Sequence, residues 1–523
     1  MSEQRTYIST AGAPEHRSAT AFARLAGFFG RWWVFGPLVG LAAAVAMAVR
    51  IFHNGPIGMA DNGDGPSRMC ALDTSVHLDK GSSWWFDYAN FRYDQAKPDA
   101  CRSDNTYPGS GKWMPMLARP LSQLLGYPGA IDLRAQALLW CALVGVAFAV
   151  FAVALRGRLL LRLLVCAALF LVVGDSVIAG YAASPFSELA GLTGLLLATA
   201  GAVHLGGSPR ARLGGLLLFT VGSVTLVGSK MQALTMAVPL LALLLWAKVP
   251  VGRLVGRFSA RVLPLAAALV IGAAGTHTLV FQMEAFKEIN RTEVIFVGIM
   301  GKSPDPAKDA VELGLPADFG QYAGLNWWGE KAPQKDPRWP EVRDRITYTN
   351  IGIYLAKHPG VALRIADGGL DDFAASRPDN LGSYPVSAGK PAGTQEHRLA
   401  LYTGFLRTLG GGWVLGLQLA LAVAGAWWLR RGQDNPHRRA FVAMMICLGG
   451  ATLTQFVTAM YGEAIENTKH LIFGIFATGL SFVLAAATVL CTPAAASSAT
   501  EEEAEPETRA RSDRAALVGS AKS

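Results

Sequence analysis

Charged residues are scarce in this sequence. Asp, Glu, Lys and Arg together make up 16% of the 523 residues, whereas hydrophobic residues make up 51%. The mean hydropathy is +0.31, a value that a water-soluble chain of this length rarely has. The composition therefore argues against a soluble globular protein and predicts a polytopic membrane protein.

The motifs of several common catalytic and binding sites are also missing. The stretch "PGSGKW" at 108–113 lacks the P-loop spacing and the Ser or Thr after Lys, and no predicted strand precedes it. No Gly-x-Ser-x-Gly elbow is present, and neither CxxC nor Cys/His spacing indicates a zinc site. We therefore expect no P-loop nucleotide site, serine-hydrolase site or structural zinc.

About ten apolar stretches are long enough to cross a bilayer, which requires roughly 20 residues per helix. The sequence thus predicts an all-α bundle of about ten transmembrane helices. The stretches lie near 33–52, 135–155, 158–176, 186–205, 212–229, 231–249, 262–283, 410–429, 439–460 and 469–491.

Basic residues orient this bundle, because Lys and Arg accumulate in short cytoplasmic loops. Four basic clusters lie in every second loop between the predicted helices, so all four face the same compartment. They are "RGR", "SPRAR", "KVPVGRLVGRFSAR" and "RRGQDNPHRR". Both termini are then cytoplasmic, and the long loops 53–134 and 284–409 are extracytoplasmic. The net charge of +9 follows from this topology, and we expect no nucleic-acid partner.

The predicted spans and their orientation divide the chain into five parts. We read the first span as a retained signal-anchor helix, since it is long and lacks a small-residue cleavage site. The tail is small, charged and low in complexity, which predicts disorder. The parts are a cytoplasmic segment 1–32, helices one to seven with the first outer loop in 33–283, the outer loop 284–409, helices eight to ten in 410–491, and the tail 492–523.

Two of the six cysteines lie outside the predicted spans. Cys70 and Cys101 both belong to the first outer loop, where an oxidising compartment permits a disulfide. The other four lie within spans and are expected to pack as small hydrophobic residues. The sequence therefore predicts a bridge between Cys70 and Cys101.

Unusual polar residues gather at the outer ends of the predicted helices. Ionisable residues at membrane depth are costly and tend to mark function, so their shared position predicts one outward-facing polar cavity. The residues are Asp61, Asp64 and Arg68 after the first span, Asp175, Tyr181 and Glu188 around the next outer turn, Lys230 and Gln232 at a third, and Glu463, Glu466, Lys469 and His470 before the last span.

Each of these residues also has a structural explanation. Asp in an Asn-Gly-Asp-Gly stretch commonly bonds its own backbone in a turn. Glu188 is placed to cap a helix, and Lys469 to extend toward lipid headgroups. The functional hypothesis depends on their convergence at one membrane face.

Several segments together resemble a known family. The acidic loop "ADNGDGPSRM" is similar to the loop that carries the catalytic Asp in the GT-C class of membrane glycosyltransferases. The segments "GYAASPFSELAG", "GSKMQ" and "GEAIENTKHLIF" resemble motifs of the bacterial glycan-biosynthesis hexose transferase group, and "YLAKHPGVALRI" resembles an interfacial segment of such enzymes. The chain departs from the group where a consecutive Asp-Asp or Asp-Glu is expected, which leaves open whether Asp61 or Asp64 is the base.

The resemblance implies a transferase that moves a hexose from a polyprenyl-phosphate donor to a surface glycan or lipid acceptor. The reaction would take place at the outer face of a bacterial plasma membrane, in contact with membrane lipid. Asp61 and Asp64 would be catalytic, and Glu188, Tyr181, Gln232 and Glu463 would bind substrate. Lys469, His470, Lys230 and Arg68 would hold the donor phosphate. A divalent cation is compatible with this chemistry but not required by it.

A transporter or flippase of lipid-linked sugar is the main alternative. It should show internal repeats, broken helices or charges at mid-membrane, whereas the charges here stop at the outer rim. A non-catalytic assembly protein is a further alternative if the two aspartates only shape a turn.

The second outer loop contains one further predicted helix. After Pro359, an apolar stripe formed by Val361, Ile365, Leu370 and Phe373 predicts a membrane-surface helix. Its Arg364 and Asp367 would then face water or substrate.

Overall fold

Helices dominate the computed structural model, which describes residues 31–78, 85–96, 101, 109–249, 259–431 and 435–492. Nearly all of the predicted N-terminal segment and C-terminal tail lie outside these residues. In the first half of the chain the α-helices are α1 (Trp32–Phe52), α2 (Asp64–Cys70), α3 (Trp113–Leu124), α4 (Leu133–Ala154), α5 (Leu159–Val173), α6 (Ser176–Gly180), α7 (Glu188–Ala202), α8 (Pro209–Val227), α9 (Met231–Leu234), α10 (Ala237–Trp246) and α11 (Ser259–Val280).

The second half begins with the long outer loop and ends with three spans. Its α-helices are α12 (Glu284–Glu293), α13 (Pro306–Glu312), α14 (Trp339–Val342), α15 (Tyr348–Lys357), α16 (Pro359–Ala375), α17 (Leu401–Leu409), α18 (Gly411–Arg430), α19 (Pro436–Thr458), α20 (Asn467–His470) and α21 (Ile472–Leu490). Two π-helical segments cover Val294–Ile299 and Ala459–Glu463. Short 3₁₀ turns cover Ser110–Lys112, Met300–Lys302, Ala317–Tyr322, Pro333–Lys335, Arg343–Arg345 and Val386–Ala388.

Seven helices in the described part of the chain are long and apolar enough to span a membrane. They are α1, α4, α8, α11, α18, α19 with its π-helical extension, and α21. Shorter apolar helices occupy Leu159–Val173, Glu188–Ala202 and Met231–Trp246, where the sequence predicts the other three spans. The predicted all-α polytopic membrane fold is confirmed.

Small residues let neighbouring spans approach closely. A Cβ atom added at Gly40 of α1 would lie 2.5 Å from the Gly145 carbonyl oxygen of α4. At Gly194 of α7 it would lie 2.5 Å from the Gly222 carbonyl oxygen of α8. Membrane helices gain van der Waals contact this way, since lipid supplies no hydrophobic force to drive them together.

The first outer loop folds around a small antiparallel sheet. Strands β1 (Thr74–Val76), β2 (Arg92–Gln95) and β3 (Ile131–Asp132) lie in that order. Val76 of β1 pairs with Tyr93 of β2, and Tyr93 pairs in turn with Ile131 of β3. Cys70, at the end of α2, is bonded to Cys101, with a Cα–Cα distance of 5.2 Å. The sheet and the disulfide fix the acidic turn that precedes α2.

The helix predicted after Pro359 is confirmed as α16. Val361, Ile365 and Phe373 are buried on one side of it, whereas Arg364 and Asp367 are exposed. This amphipathic helix packs against the π-helical extension of α19 through Gly369, whose added Cβ would lie 2.1 Å from the Met460 sulfur.

We predict that the second outer loop and the turn after α18 lie on opposite sides of the membrane. The test compares Trp328→Cys, at a side chain that is 70% exposed, with Arg431→Cys, at an exposed position after α18. A membrane-impermeant maleimide added outside intact cells should label only Trp328→Cys, because basic loops stay cytoplasmic. The described free cysteines are buried, and permeabilised cells should label both variants. Labelling of Arg431→Cys alone would contradict the outer-face position of the site.

Candidate functional site at the helix ends

The acidic stretch after α1 folds into a tight turn around the Asp61 carboxylate. Asp61 Oδ1 accepts hydrogen bonds from the backbone N–H groups of Gly63, at 2.8 Å, and Gly65, at 3.0 Å. Gly63 has φ +107°, which favours glycine, and a Cβ at Gly65 would lie 1.9 Å from Asp61 Oδ2. Asp61 thus shapes the turn, as the structural explanation of this motif expects, while its second oxygen takes no part in the turn.

Burial makes the Asp61 carboxyl group a weaker acid than an ordinary Asp side chain. The residue is 3% exposed, and its Oδ2 accepts a 3.5 Å hydrogen bond from the Tyr93 hydroxyl. Burial raises the pKa of Asp61 to about 6, against the lowering effect of the two backbone hydrogen bonds. A carboxylate with this pKa is a stronger proton acceptor than an ordinary Asp and is still ionised near neutral pH.

Asp64 lies between two lysines from distant parts of the chain. Its Oδ2 is 2.6 Å from Lys469 Nζ and 3.2 Å from Lys230 Nζ. Burial raises the pKa of Asp64, but the positive charges of Lys230 and Lys469 outweigh burial and hold the pKa below its usual range. The two aspartates of one turn therefore have opposite electrostatic environments.

Lys230 also binds Glu188 at the start of α7. The Lys230 Nζ to Glu188 Oε1 distance is 2.9 Å, and Glu188 is fully buried. Lys230 and Glu188 can meet because Lys230 follows the end of α8 at Val227, and Glu188 begins α7. The main side-chain partner of Glu188 is Lys230, rather than a backbone N–H of its own helix.

The entry to the last span completes the ionic cluster. Lys469 Nζ lies 3.4 Å from Glu466 Oε2, and Asn62 donates to both Glu466 carboxylate oxygens at 2.7 and 2.8 Å. Glu466 and Ala464 have positive φ values of 50° and 59°, a conformation that non-glycine residues adopt at a cost and that clusters at functional sites. Glu466 is one of the polar residues expected before the last span, whereas no local pattern points to Asn62, and only its contact with Glu466 reveals it.

Other predicted site residues surround this cluster with unused polar atoms. Arg68 Nη1 donates to the Pro185 carbonyl at 2.5 Å, whereas its Nε and Nη2 have no hydrogen-bond partner among the described residues. Within the same part of the chain, the Tyr181 hydroxyl and both amide atoms of Gln232 are also buried without a partner. Unmade hydrogen bonds of this kind cost free energy and are typical of a site that takes a ligand or water.

His470 and Glu463 form a separate pair beside Lys469. His470 Nδ1 lies 2.6 Å from Glu463 Oε2. Both side chains are largely buried. The structure thus joins Asp64, Lys230, Glu188 and Lys469 by direct ion pairs, and places His470 and Glu463 next to them along the chain.

The second outer loop supports the acidic turn from the other side. Ala60 N–H donates to the Gly382 carbonyl at 2.8 Å, and Gly382 N–H donates to the Phe86 carbonyl at 2.8 Å. Phe86 N–H in turn donates to the Asp61 carbonyl at 2.7 Å. Arg50, near the end of α1, forms an ion pair with Glu396. This support was not predicted, because it joins segments more than 300 residues apart.

The donor set does not fit a divalent cation. In the described ranges, no group of three or more His, Cys, Asp and Glu side chains could hold a metal ion. The carboxylates of Asp64 and Glu188 are instead neutralised by lysines. The chemistry available here is that of a carboxylate base beside several fixed cations.

Comparison with known proteins adds a family to this geometry. Residues 35–507 match the family described as the YfdI N-terminal transmembrane domain. No curated protein and no solved structure matches the chain. The match covers the described spans and both outer loops, and it is consistent with the resemblance to GT-C membrane glycosyltransferases. The chain belongs to the YfdI N-terminal transmembrane domain family and is a multi-pass membrane protein.

Proposed function

We propose that the protein is a glycosyltransferase that moves a hexose from a polyprenyl-phosphate donor to a surface glycan or lipid acceptor. The reaction takes place at the outer face of a bacterial plasma membrane. The observation that carries this proposal is the pairing of Asp64, in the same turn as Asp61, with Lys230 and Lys469 at the ends of membrane helices. A lipid-linked donor requires such a place, since its phosphate stays at the membrane boundary while its tail lies between helices.

The transfer needs a base for the acceptor hydroxyl. As the acceptor oxygen bonds to the anomeric carbon, its proton passes to Asp61 Oδ2, and the bond between the anomeric carbon and the phosphate oxygen breaks. Asp61 suits this role better than Asp64, because its pKa of about 6 makes it the stronger base. Asp64 remains an ionised partner of the lysines and orients them.

The departing polyprenyl phosphate needs positive charge around it. Lys469 and Lys230 supply two fixed cations that are 1% and 14% exposed, so water screens them little. The unused Arg68 nitrogens provide further donors at the same face. Donors held in place before the reaction stabilise developing charge without reorganising.

Sugar and acceptor hydroxyls need hydrogen-bond partners, which the unused atoms of Gln232 and Tyr181 supply. Glu463 and His470 extend this polar lining toward α16. Asn467, in the segment that carries Lys469, donates to Asp372 of α16 at 3.0 Å. We therefore assign α16 to the border of the acceptor entrance.

The central prediction concerns Asp61→Asn. The substitution keeps an oxygen for the turn but removes the base, so transfer should fall by roughly 10²–10⁴. The measurement follows release of polyprenyl phosphate from polyprenyl-phosphate hexoses by the purified full-length protein. Asp73→Asn is the matched control and should keep wild-type turnover, since Asp73 is an exposed carboxylate of the same loop with φ 55°, a conformation that Asn tolerates.

Two results would contradict the proposal. Wild-type turnover in both Asp61→Asn and Asp64→Asn would show that the pair only shapes a turn. Movement of an intact lipid-linked sugar between leaflets, with no release of polyprenyl phosphate, would favour a flippase.

The pH dependence should report the Asp61 carboxyl group. Asp61 must be ionised to accept a proton, so the single-turnover transfer rate should be level above about pH 6 and fall roughly tenfold per pH unit below it. Asp73→Asn should reproduce this profile. In Asp61→Asn, the residual transfer rate should no longer fall below about pH 6. An unchanged pH profile in that variant would assign the base to another group.

A further inference from the structure

A cavity lies at the end of the helix bundle opposite the ionic cluster. Its volume is about 390 Å³, within the range of small-ligand sites. Its lining includes Gly206 and Arg212 around the turn between α7 and α8, Trp246 and Lys248 at the end of α10, and Pro436 and Arg439 at the start of α19.

The helices themselves separate this cavity from the ionic cluster. Helix α7 has 15 residues, beginning at Glu188 in the cluster and ending at Ala202, just before the cavity. At about 1.5 Å per residue this is roughly 22 Å. Helices α8 and α19 likewise begin at the cavity and run toward Lys230 and Glu463. The cavity therefore faces the opposite membrane boundary, which the basic loops assign to the cytoplasm.

The charge of the lining has one sign. Arg212, Lys248 and Arg439 contribute three cations, and none of the lining residues that the structure describes is acidic. Arg212 Nε donates to the Gly207 carbonyl at 2.8 Å, and Arg439 lies 5.6 Å from the centre of the Trp246 ring. Lys248 is exposed. Across the described ranges, none of the three forms an ion pair with a carboxylate, so their charges are available to an anion.

Apolar surface adjoins these cations. Trp246 is 41% exposed and Leu245 is 62% exposed at the end of α10, while Leu213 on the first turns of α8 is 53% exposed. A ligand with a phosphate head and apolar tails would contact both kinds of surface. The rule that basic loops stay cytoplasmic explains why arginines lie at this face. It does not explain why three basic side chains from three segments line one cavity with no carboxylate among its described lining residues.

We propose that this cavity binds the phosphate headgroup of an anionic glycerophospholipid from the facing leaflet. Arg212, Lys248 and Arg439 hold the phosphate, Trp246 lies at the interface, and the acyl chains follow the exposed apolar faces of α8 and α10. Basic pockets between membrane helices on the cytoplasmic side recognise such headgroups. The bound lipid joins the cytoplasmic ends of α7, α8, α10 and α19. The opposite end of α7 carries Glu188, and the turn after α8 carries Lys230.

The test measures retention of phosphatidylglycerol by the purified full-length protein, using native mass spectrometry over a lipid titration. Each basic side chain near an anionic headgroup contributes about fivefold in affinity, so Arg212→Gln combined with Arg439→Gln should lower affinity by roughly 25-fold. The matched control combines Arg430→Gln with Arg431→Gln, which removes the same charge at the end of α18 outside the cavity. This control should retain the lipid like the wild type.

The wild-type protein alone also tests the proposal, independently of how the variants fold. Phosphatidylglycerol should bind several-fold more tightly than phosphatidylcholine, and added inorganic phosphate at the same concentration should not displace it. Equal binding of the two lipids, or equal loss in the two double variants, would overturn the lipid site. Displacement by inorganic phosphate at matched concentration would reassign the cavity to a soluble anion and overturn the lipid assignment.

Discussion

The ion pairing of Asp64 with Lys230 and Lys469 holds together the segments that form the candidate site. These residues come from the first outer loop, the turn after α8 and the entry to the last span. Removing charges from water is costly, and the buried Lys469 and Glu188 offset this cost by pairing with charges of opposite sign. Because such pairs add little net stability, we attribute their main role to positioning three distant segments around one site.

The two aspartates illustrate how one short turn can provide two chemical functions. Burial raises the pKa of Asp61 to about 6, although two backbone N–H groups that bond its carboxylate oppose this shift. Asp64, three residues later, begins a helix and faces two lysines that keep it ionised. Gly63 and Gly65 make this arrangement sterically feasible, since a side chain at either position would collide with its neighbours. The proposed division into a base and a lysine-orienting carboxylate follows from these environments.

The sequence predicts the spans and α16 because both depend on local patterns of apolar residues. An apolar run of membrane length has few alternatives to a helix, and the stripe at Val361, Ile365 and Phe373 has helical spacing. The bond between Asn62 and Glu466 joins residues 404 positions apart, so no local pattern encodes it. The same holds for the pairing of Arg50 with Glu396 and for the support of Ala60 by Gly382. The topology predicts that these polar residues gather at one face. Which side chain pairs with which could be seen only in the structure.

A cryo-EM structure of the protein with a non-transferable polyprenyl-phosphate hexose analogue would test the proposed donor site. We expect the analogue's phosphate to lie within hydrogen-bond distance of Lys469 Nζ and Lys230 Nζ, in place of part of their contact with Asp64. The anomeric carbon should face Asp61 Oδ2, and the prenyl tail should extend between the spans. A phosphate bound away from both lysines, with their contacts to Asp64 unchanged, would rule out the proposed role of Lys230 and Lys469.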